Sequence, residues 1–352
     1  MRFLLYVLPF LTLFGCNQQA SDEETKMTSG ETVEIEYAEN FNLQKTAQGY
    51  TLEIIDPTTG EIEHSYDIND STQYDVISLT ATMNGMYSIL AAHKHIKGIS
   101  NIDYIYDPIL QERFKKKKIK SFGDETSHSI EKIISSNANT ILYSGFGDEF
   151  PNQKKLEKLN FTIIPIYDWK EIHPLGKAEW IKVVGALTGK INEANAFFNH
   201  VVSEYKALQK LAEKVTHRPT SISGNLIGDI WYTPASESYV AHLIRDAGSN
   251  YRYEKIKGGV TLQFSIEQII KDNANTEFWI NPGYPSKAKI DKANPHAKFL
   301  NCYDNIYCYS PNMAKFWERS AAEPHYVLSD LIHLFHPEIT EITSFNYYEK
   351  IN

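Results

Sequence analysis

The chain has 352 residues and a formal charge of −9, from 44 acidic and 35 basic side chains. That length exceeds one ordinary domain and suits two lobes. The dispersed acidic balance excludes a nucleic-acid partner, which needs a basic face, and three cysteines are too few to hold an iron–sulfur cluster.

Met1 and Arg2 precede an apolar run from Phe3 to Phe14, then Gly15 and Cys16. A short charged start, an apolar stretch too short to span a bilayer and a small residue before a cysteine form a signal peptide over 1–15. Leu13-Phe14-Gly15-Cys16 resembles a bacterial lipobox, which implies diacylation of Cys16 and attachment to a lipid bilayer. Residues 16–48 begin polar and acidic, without the apolar surface needed to fold, and read as a disordered tether.

Tyr50–Ile55 and 61–68 alternate apolar and polar residues around Asp56-Pro57-Thr58-Thr59-Gly60, a hairpin signal that leads an N-terminal lobe over 49–175. Short apolar strands then alternate with helices. Strands are expected at Asp75–Leu79, Ile96–Ile99, Thr140–Tyr143 and Thr162–Tyr167, and helices at Met83–Ala92 and Ile130–Ile134. This is the pattern of βαβ units and a mainly parallel sheet. Arg113, Lys115, Lys116, Lys117, Lys118 and Lys120 read as a solvated helix end.

Helical periodicity dominates a linker over 176–217. Gly189 interrupts it, and Asn192–Val215 reads as one helix with Ala196, Phe197, Val201, Val202, Tyr205, Leu208 and Leu211 on its apolar face. A second α/β lobe follows over 218–352, with strands at Thr220–Gly224, Phe278–Ile280 and Ile306–Tyr309 and helices at Tyr239–Ala247 and Ser329–Phe335. Cys302 and Cys308 are too sparse for a zinc site; a local disulfide and a pair of small core residues explain them equally well.

An internal repeat links the two halves. SIEKIISSNANT starts at Ser129 and SIEQIIKDNANT at Ser265. Each offers a serine N-cap, a first-turn glutamate and isoleucines at the same positions, and each feeds a strand and then a glycine-containing loop. Two pseudo-equivalent lobes are the economical explanation.

The ordered segments VISLTAT (76–82), KGI (97–99), FGDE (122–125), SIEKI and EWIKVVGALTGK (179–190), then IWYTPASESYVAHLIRDAGSNY (230–251), LQFSIEQI (262–269), FWINPG and EPHYVLSDLIHLFHPE (323–338), resemble class III (helical-backbone) periplasmic binding proteins of the cobalamin, ferric-siderophore and haem uptake type. The resemblance implies an α/β fold of two Rossmann-like lobes joined by a long rigid backbone helix, with the ligand cleft between them. It implies a monomer that delivers an iron chelate (siderophore or haem) or a corrinoid such as vitamin B12 to an ABC permease dimer. The protein would sit on the periplasmic or cell-surface face, anchored through Cys16. By the same resemblance Glu131 and Glu267, matched in the repeat, pair with permease arginines; the competing explanation is that each offsets a helix dipole.

Ligand sites in such sheets lie outside the carboxyl ends of the strands. The residues that follow those ends are Thr80, Tyr104, Tyr106, Tyr143, Phe146, Tyr167 and Trp169 in the first lobe, and Trp231, Tyr232, Tyr284, Trp317 and Arg319 in the second. Flat aromatic faces suit a macrocycle or a catecholate, and Trp231 and Trp169 stand out because each follows a strand beside polar residues. No catalytic motif or phosphate-cradling loop occurs, and no resident cofactor or protein-held metal is expected; any iron or cobalt would arrive with the ligand. A surface-exposed ligand scavenger or adhesin, and an anchored enzyme on the same scaffold, are the alternative readings.

Overall fold

Phe41, Leu43, Leu52 and Ile54, one inward face of an alternating pattern, start the described chain as a three-stranded antiparallel meander. Its strands are β1 (Phe41–Thr46), β2 (Gly49–Ile55) and β3 (Ile62–Asn69). The computed structural model describes residues 33–123, 129–146, 149–309, 313–341 and 344–352. The signal peptide, Cys16 and the first part of the tether lie outside these, as do Asp124 and Glu125 of the FGDE segment. Residues 33–48, expected to be part of a disordered tether, instead pack on the body and carry β1. Two buried carboxylates hold this segment. Glu179 accepts the N–H groups of Glu36, Tyr37 and Ala38 at 3.0, 2.8 and 2.9 Å. Glu171 accepts those of Glu39 and Asn40 at 2.9 and 3.2 Å.

The first lobe is a five-stranded parallel sheet of β4 (Val76–Ser78), β5 (Ile96–Ile99), β6 (Lys120–Ser121), β7 (Thr140–Ser144) and β8 (Thr162–Ile166), in the order β6-β5-β4-β7-β8. Its central strands β4 and β7 are buried on both faces, as expected of a parallel sheet covered by helices. The crossovers contain α1 (Ala81–Ile89), α2 (Pro108–Lys115), α3 (Ile130–Ile134) and α4 (Gln153–Glu157). Lys115 to Lys118 are exposed at the end of α2.

The linker is α5 (Pro174–Glu179), α6 (Ile181–Thr188) and α7 (Ile191–Ala212). Gly189, at φ 67°, supplies the left-handed turn that separates α6 from α7. The 22 residues of α7 span about 33 Å at ~1.5 Å per residue. It buries Ala194, Phe198, Val201, Tyr205 and Ala212, and the Tyr205 hydroxyl ties it to Asp246 of the second lobe at 2.7 Å.

The second lobe opens with β9 (Thr220–Ser223), β10 (Asn225–Ile227), β11 (Ile230–Pro234), α8 (Tyr239–Asp246) and β12 (Asn250–Tyr251). It continues with β13 (Thr261–Ser265), α9 (Ile266–Asp272), β14 (Phe278–Ile280), α10 (Lys287–Ala293) and β15 (Ile306–Cys308). The chain ends with α11 (Met313–Arg319), α12 (Pro324–Phe335) and β16 (Glu349–Lys350). The main sheet runs β12-β9-β14-β15-β16, and β10-β11-β13 form a small antiparallel sheet. The repeat occupies equivalent places: α3 leads to β7 beside β4, and α9 leads to β14 beside β9.

Helix α11 crosses back to the first lobe and packs on α1. A Cβ on Gly85 of α1 would stand 1.7 Å from the Glu318 carbonyl oxygen, so only glycine fits the crossing. Cys302 and Cys308 are buried thiols and not a disulfide. Burial pushes the Cys302 thiol up to about 12.

Candidate functional site

The carboxyl ends of the first sheet open into a cavity of about 690 Å³. Leu79 to Thr82 follow β4, Ser100 and Tyr104 follow β5, Ser144 ends β7 and Phe146 lies just beyond it, and Asp168 and Trp169 follow β8. Lys177 of α5 and Met313 and Trp317 of α11 complete the wall. A second cavity, about 490 Å³, lies at the carboxyl ends of the other sheet, walled by Ser223 to Asn225, Tyr232, Tyr239, Asn281 and Tyr309, and again by Trp317. Trp317 therefore stands on a wall common to both. Tyr309 meets it edge-on at 5.5 Å and stacks on Phe316 at 3.6 Å, so the indole is held by rings anchored beside β15.

Thr80, Tyr104, Phe146, Trp169 and Trp317 thus gather in the first cavity, and Tyr232 joins Trp317 in the second. Thr80 caps α1, its hydroxyl accepting the Met83 N–H at 3.2 Å. Phe146, 72 % exposed, packs its ring 5.0 Å from Trp169. Exposed rings at a cleft mouth are the surface a flat ligand would cover.

Six expected cleft residues lie elsewhere. Trp231 is fully buried: it sits inside β11, faces inward, packs on Trp279 at 4.8 Å and donates its indole N–H to Ser223 at 3.2 Å. Side chains alternate along a strand, so its neighbour Tyr232 takes the cleft face instead. Tyr143 is core, against Phe150 at 5.2 Å. Tyr167 lies under Gly145, where a Cβ would meet its ring at 2.2 Å, and its hydroxyl donates to Glu63. Tyr284 donates to the Leu226 carbonyl at 2.8 Å and reaches neither cavity. Tyr106 and Arg319 line a separate polar cavity of about 460 Å³. Arg319 there forms a two-pronged pair with Glu323 at 2.8 and 2.9 Å, which holds the guanidinium away from the cleft.

Residue patterns alone did not single out Lys177, Asp168, Tyr239, Tyr309 or Met313. Lys177 lies in a helical linker whose pattern marks no site, whereas Asp168 carries a signal, since it comes just after a strand and precedes Trp169. Lys177 is buried, with Nζ 4.4 Å above the Tyr239 ring. Burial disfavours its charge, but Tyr239, Asp168 and Glu171 outweigh that and raise its pKa, so it is a cation. Asp168 Oδ2, Trp169 Nε1 and Thr82 Oγ1 have no hydrogen-bond partner in the protein. Buried polar groups left unpaired cost about 1–3 kcal/mol each, a cost that a polar ligand or water in the cavity would relieve. Among the described residues no group of three or more His, Cys, Asp and Glu side chains is placed to hold a metal ion.

Glu131 and Glu267 are exposed in the first turns of α3 and α9. The capping hydroxyls of Ser129 and Ser265 each accept a helix N–H at 3.2 Å. The Ser129 hydroxyl lowers the Glu131 pKa, and its own backbone N–H lowers that of Glu267, so both are anions.

The family profile of periplasmic binding proteins matches residues 76–294. Two uncharacterised Methanocaldococcus jannaschii proteins are similar: a lipoprotein 24 % identical over 78 % of this chain and 66 % of its own, and a protein 23 % identical over 87 % and 91 %. The chain thus spans slightly less than two thirds of the first relative's length. Solved structures share the fold. A periplasmic haem-binding protein from Pseudomonas aeruginosa superposes with TM-score 0.63 at 12 % identity, covering 80 % of this chain and 98 % of its own. A protein of an ABC-type Fe3+-hydroxamate transport system from Saccharomonospora viridis gives 0.57 at 16 %, covering 77 % and 96 %. A periplasmic vitamin B12-binding protein from Vibrio cholerae gives 0.53 at 15 %, covering 74 % and 95 %.

Proposed function

The chain belongs to the periplasmic binding protein family, in its class III form of two α/β lobes on a helical backbone, and on that premise we propose that it captures an iron chelate or a corrinoid and delivers it to an ABC permease. The family binds solutes and is not a family of enzymes. The observation that carries the proposal is the pair of adjoining cavities at the carboxyl ends of both sheets, with Trp317 common to both. The larger, at about 690 Å³, lies within the ~300–1,000 Å³ typical of small-molecule sites.

Delivery needs a docking face, and Glu131 and Glu267 supply an exposed carboxylate at equivalent places on each lobe. Complementary charge sets register and encounter more than affinity. Cys16 as a lipid anchor is supported by a relative described as a lipoprotein, and it would hold the protein on the extracytoplasmic side of a membrane.

The test is direct titration of purified protein with cyanocobalamin, ferric siderophores and haemin, read by calorimetry and tryptophan quenching. Saturable binding of one of them, weakened in Trp317→Ala, supports the reading. Failure of all to bind would remove it. Chelate binding without any loss of cellular uptake on gene deletion would favour a surface scavenger instead.

A further inference from the structure

Both cavities are walled by side chains that are almost entirely uncharged. Although 22 % of the chain is Asp, Glu, Lys or Arg, only Asp168 and Lys177 among the described lining residues carry charge, and they cancel. The second cavity has none. No arginine is among the described residues lining either, and Arg319, the nearest in sequence to Trp317, is tied to Glu323 in the separate polar cavity.

We propose that the ligand is a metal chelate of zero net charge bearing amide groups, held by Lys177, Trp169, Thr82 and Asp168. This rests on the chelate-binding function proposed above and narrows it. An anionic chelate would surrender its hydration to a wall offering one cation already facing a carboxylate, and desolvating unpaired charge costs several kcal/mol per ion. An uncharged chelate avoids that cost. The unpaired groups also have mixed polarity: Trp169 Nε1 can only donate, Asp168 Oδ2 accepts and Thr82 Oγ1 does both; the Lys177 amine, over the Tyr239 ring, is a further donor. A carboxylate or catecholate presents acceptors alone and would leave Asp168 unmatched. An amide presents an N–H and a carbonyl together and satisfies both kinds. Phe146, Trp169 and Trp317 then cover the apolar body of the chelate.

Two sources share this chemistry, a corrinoid with carboxamide arms and a neutral ferric trihydroxamate peptide, and the experiment separates them. The full chain is titrated in parallel with cyanocobalamin, a neutral ferric trihydroxamate, haemin and a ferric tricatecholate. One of the two neutral probes should bind at least a hundredfold tighter than both anionic probes, and which one identifies the source. Asp168→Asn leaves the cleft with net positive charge, so it should narrow that preference about tenfold, and Lys177→Met should weaken the neutral probe about tenfold. Unchanged melting temperatures show that both variants fold. Equal or tighter binding of haemin or the tricatecholate overturns the inference while leaving the chelate-binding function intact. Binding of none of the four overturns that function and the inference with it.

Discussion

Tyr106 donates its backbone N–H to the Glu318 carboxylate at 2.7 Å, joining residues 212 positions apart in the chain. Asp107 N–H adds a second bond to the same carboxylate at 3.1 Å. Glu318 belongs to α11, which follows the last parallel strand of the second lobe, whereas Tyr106 and Asp107 precede α2 of the first. The side chain is fully buried, and burial pushes its pKa up to about 7 despite those two donors, with Asp107 raising it further and Arg319 opposing.

That shift predicts a pH dependence. Below about 4.5 the carboxyl is protonated both folded and unfolded and costs nothing. Between about 4.5 and 7 the unfolded chain ionises while the folded one stays protonated, so stability falls as pH rises, by up to ~1.4 kcal/mol per pH unit. Above about 7 the loss is constant. His242 and His325, held down to about 4 by burial, act in the opposite sense, losing stability as pH falls from about 6.5 to 4. The difference between wild type and Glu318→Gln isolates the carboxyl. Melting curves from pH 4 to 8 should show the variant gaining relative stability between 4.5 and 7, and a flat difference would show that Glu318 titrates normally.

Two tryptophans should separate stability from binding. Trp231→Ala opens a cavity in the core and should cost about 3–5 kcal/mol of stability. Trp317→Ala removes an indole that is 39 % exposed and should leave the melting temperature nearly unchanged. It should instead weaken the bound chelate by at least ~1 kcal/mol. The reverse pattern in calorimetry and thermal melts would exchange their roles.

Glu131→Ala combined with Glu267→Ala should leave folding and chelate affinity intact, since both side chains are exposed and line neither cavity. Ligand-stimulated ATP hydrolysis by the reconstituted importer should fall sharply, and further than in either single variant. Wild-type stimulation by the double variant would sink the docking assignment.

Cys16→Ala should move the protein from the membrane to the soluble fraction of fractionated cells. Retention in the membrane would remove Cys16 as the anchor.

Most strands and helices were legible because their apolar runs are short, periodic and bounded by caps. Ile96–Ile99 and Phe278–Ile280 end where the sequence pattern places them. The site was less legible, and Trp231 shows why. Read as following a strand, it becomes a cleft residue; placed within β11, it turns inward and Tyr232 outward, because one position of register reverses the face. The small sheet of β10, β11 and β13 depends on pairing Trp231 with Phe264, a contact that no local window contains. Arg319 failed for a related reason: its partner Glu323 lies one helical turn on, across the junction of α11 and α12.

The clasp made by Glu171 and Glu179 also fixes where a mechanical load enters the body. The described chain begins at Val33, and the bonds holding 36–40 end on carboxylates at the start and finish of the α5 region. Tension from anything fastened upstream would reach these two carboxylates before either main sheet. A moored molecule would thus be tugged through the same short stretch that carries Trp169 and Lys177 into the cavity wall.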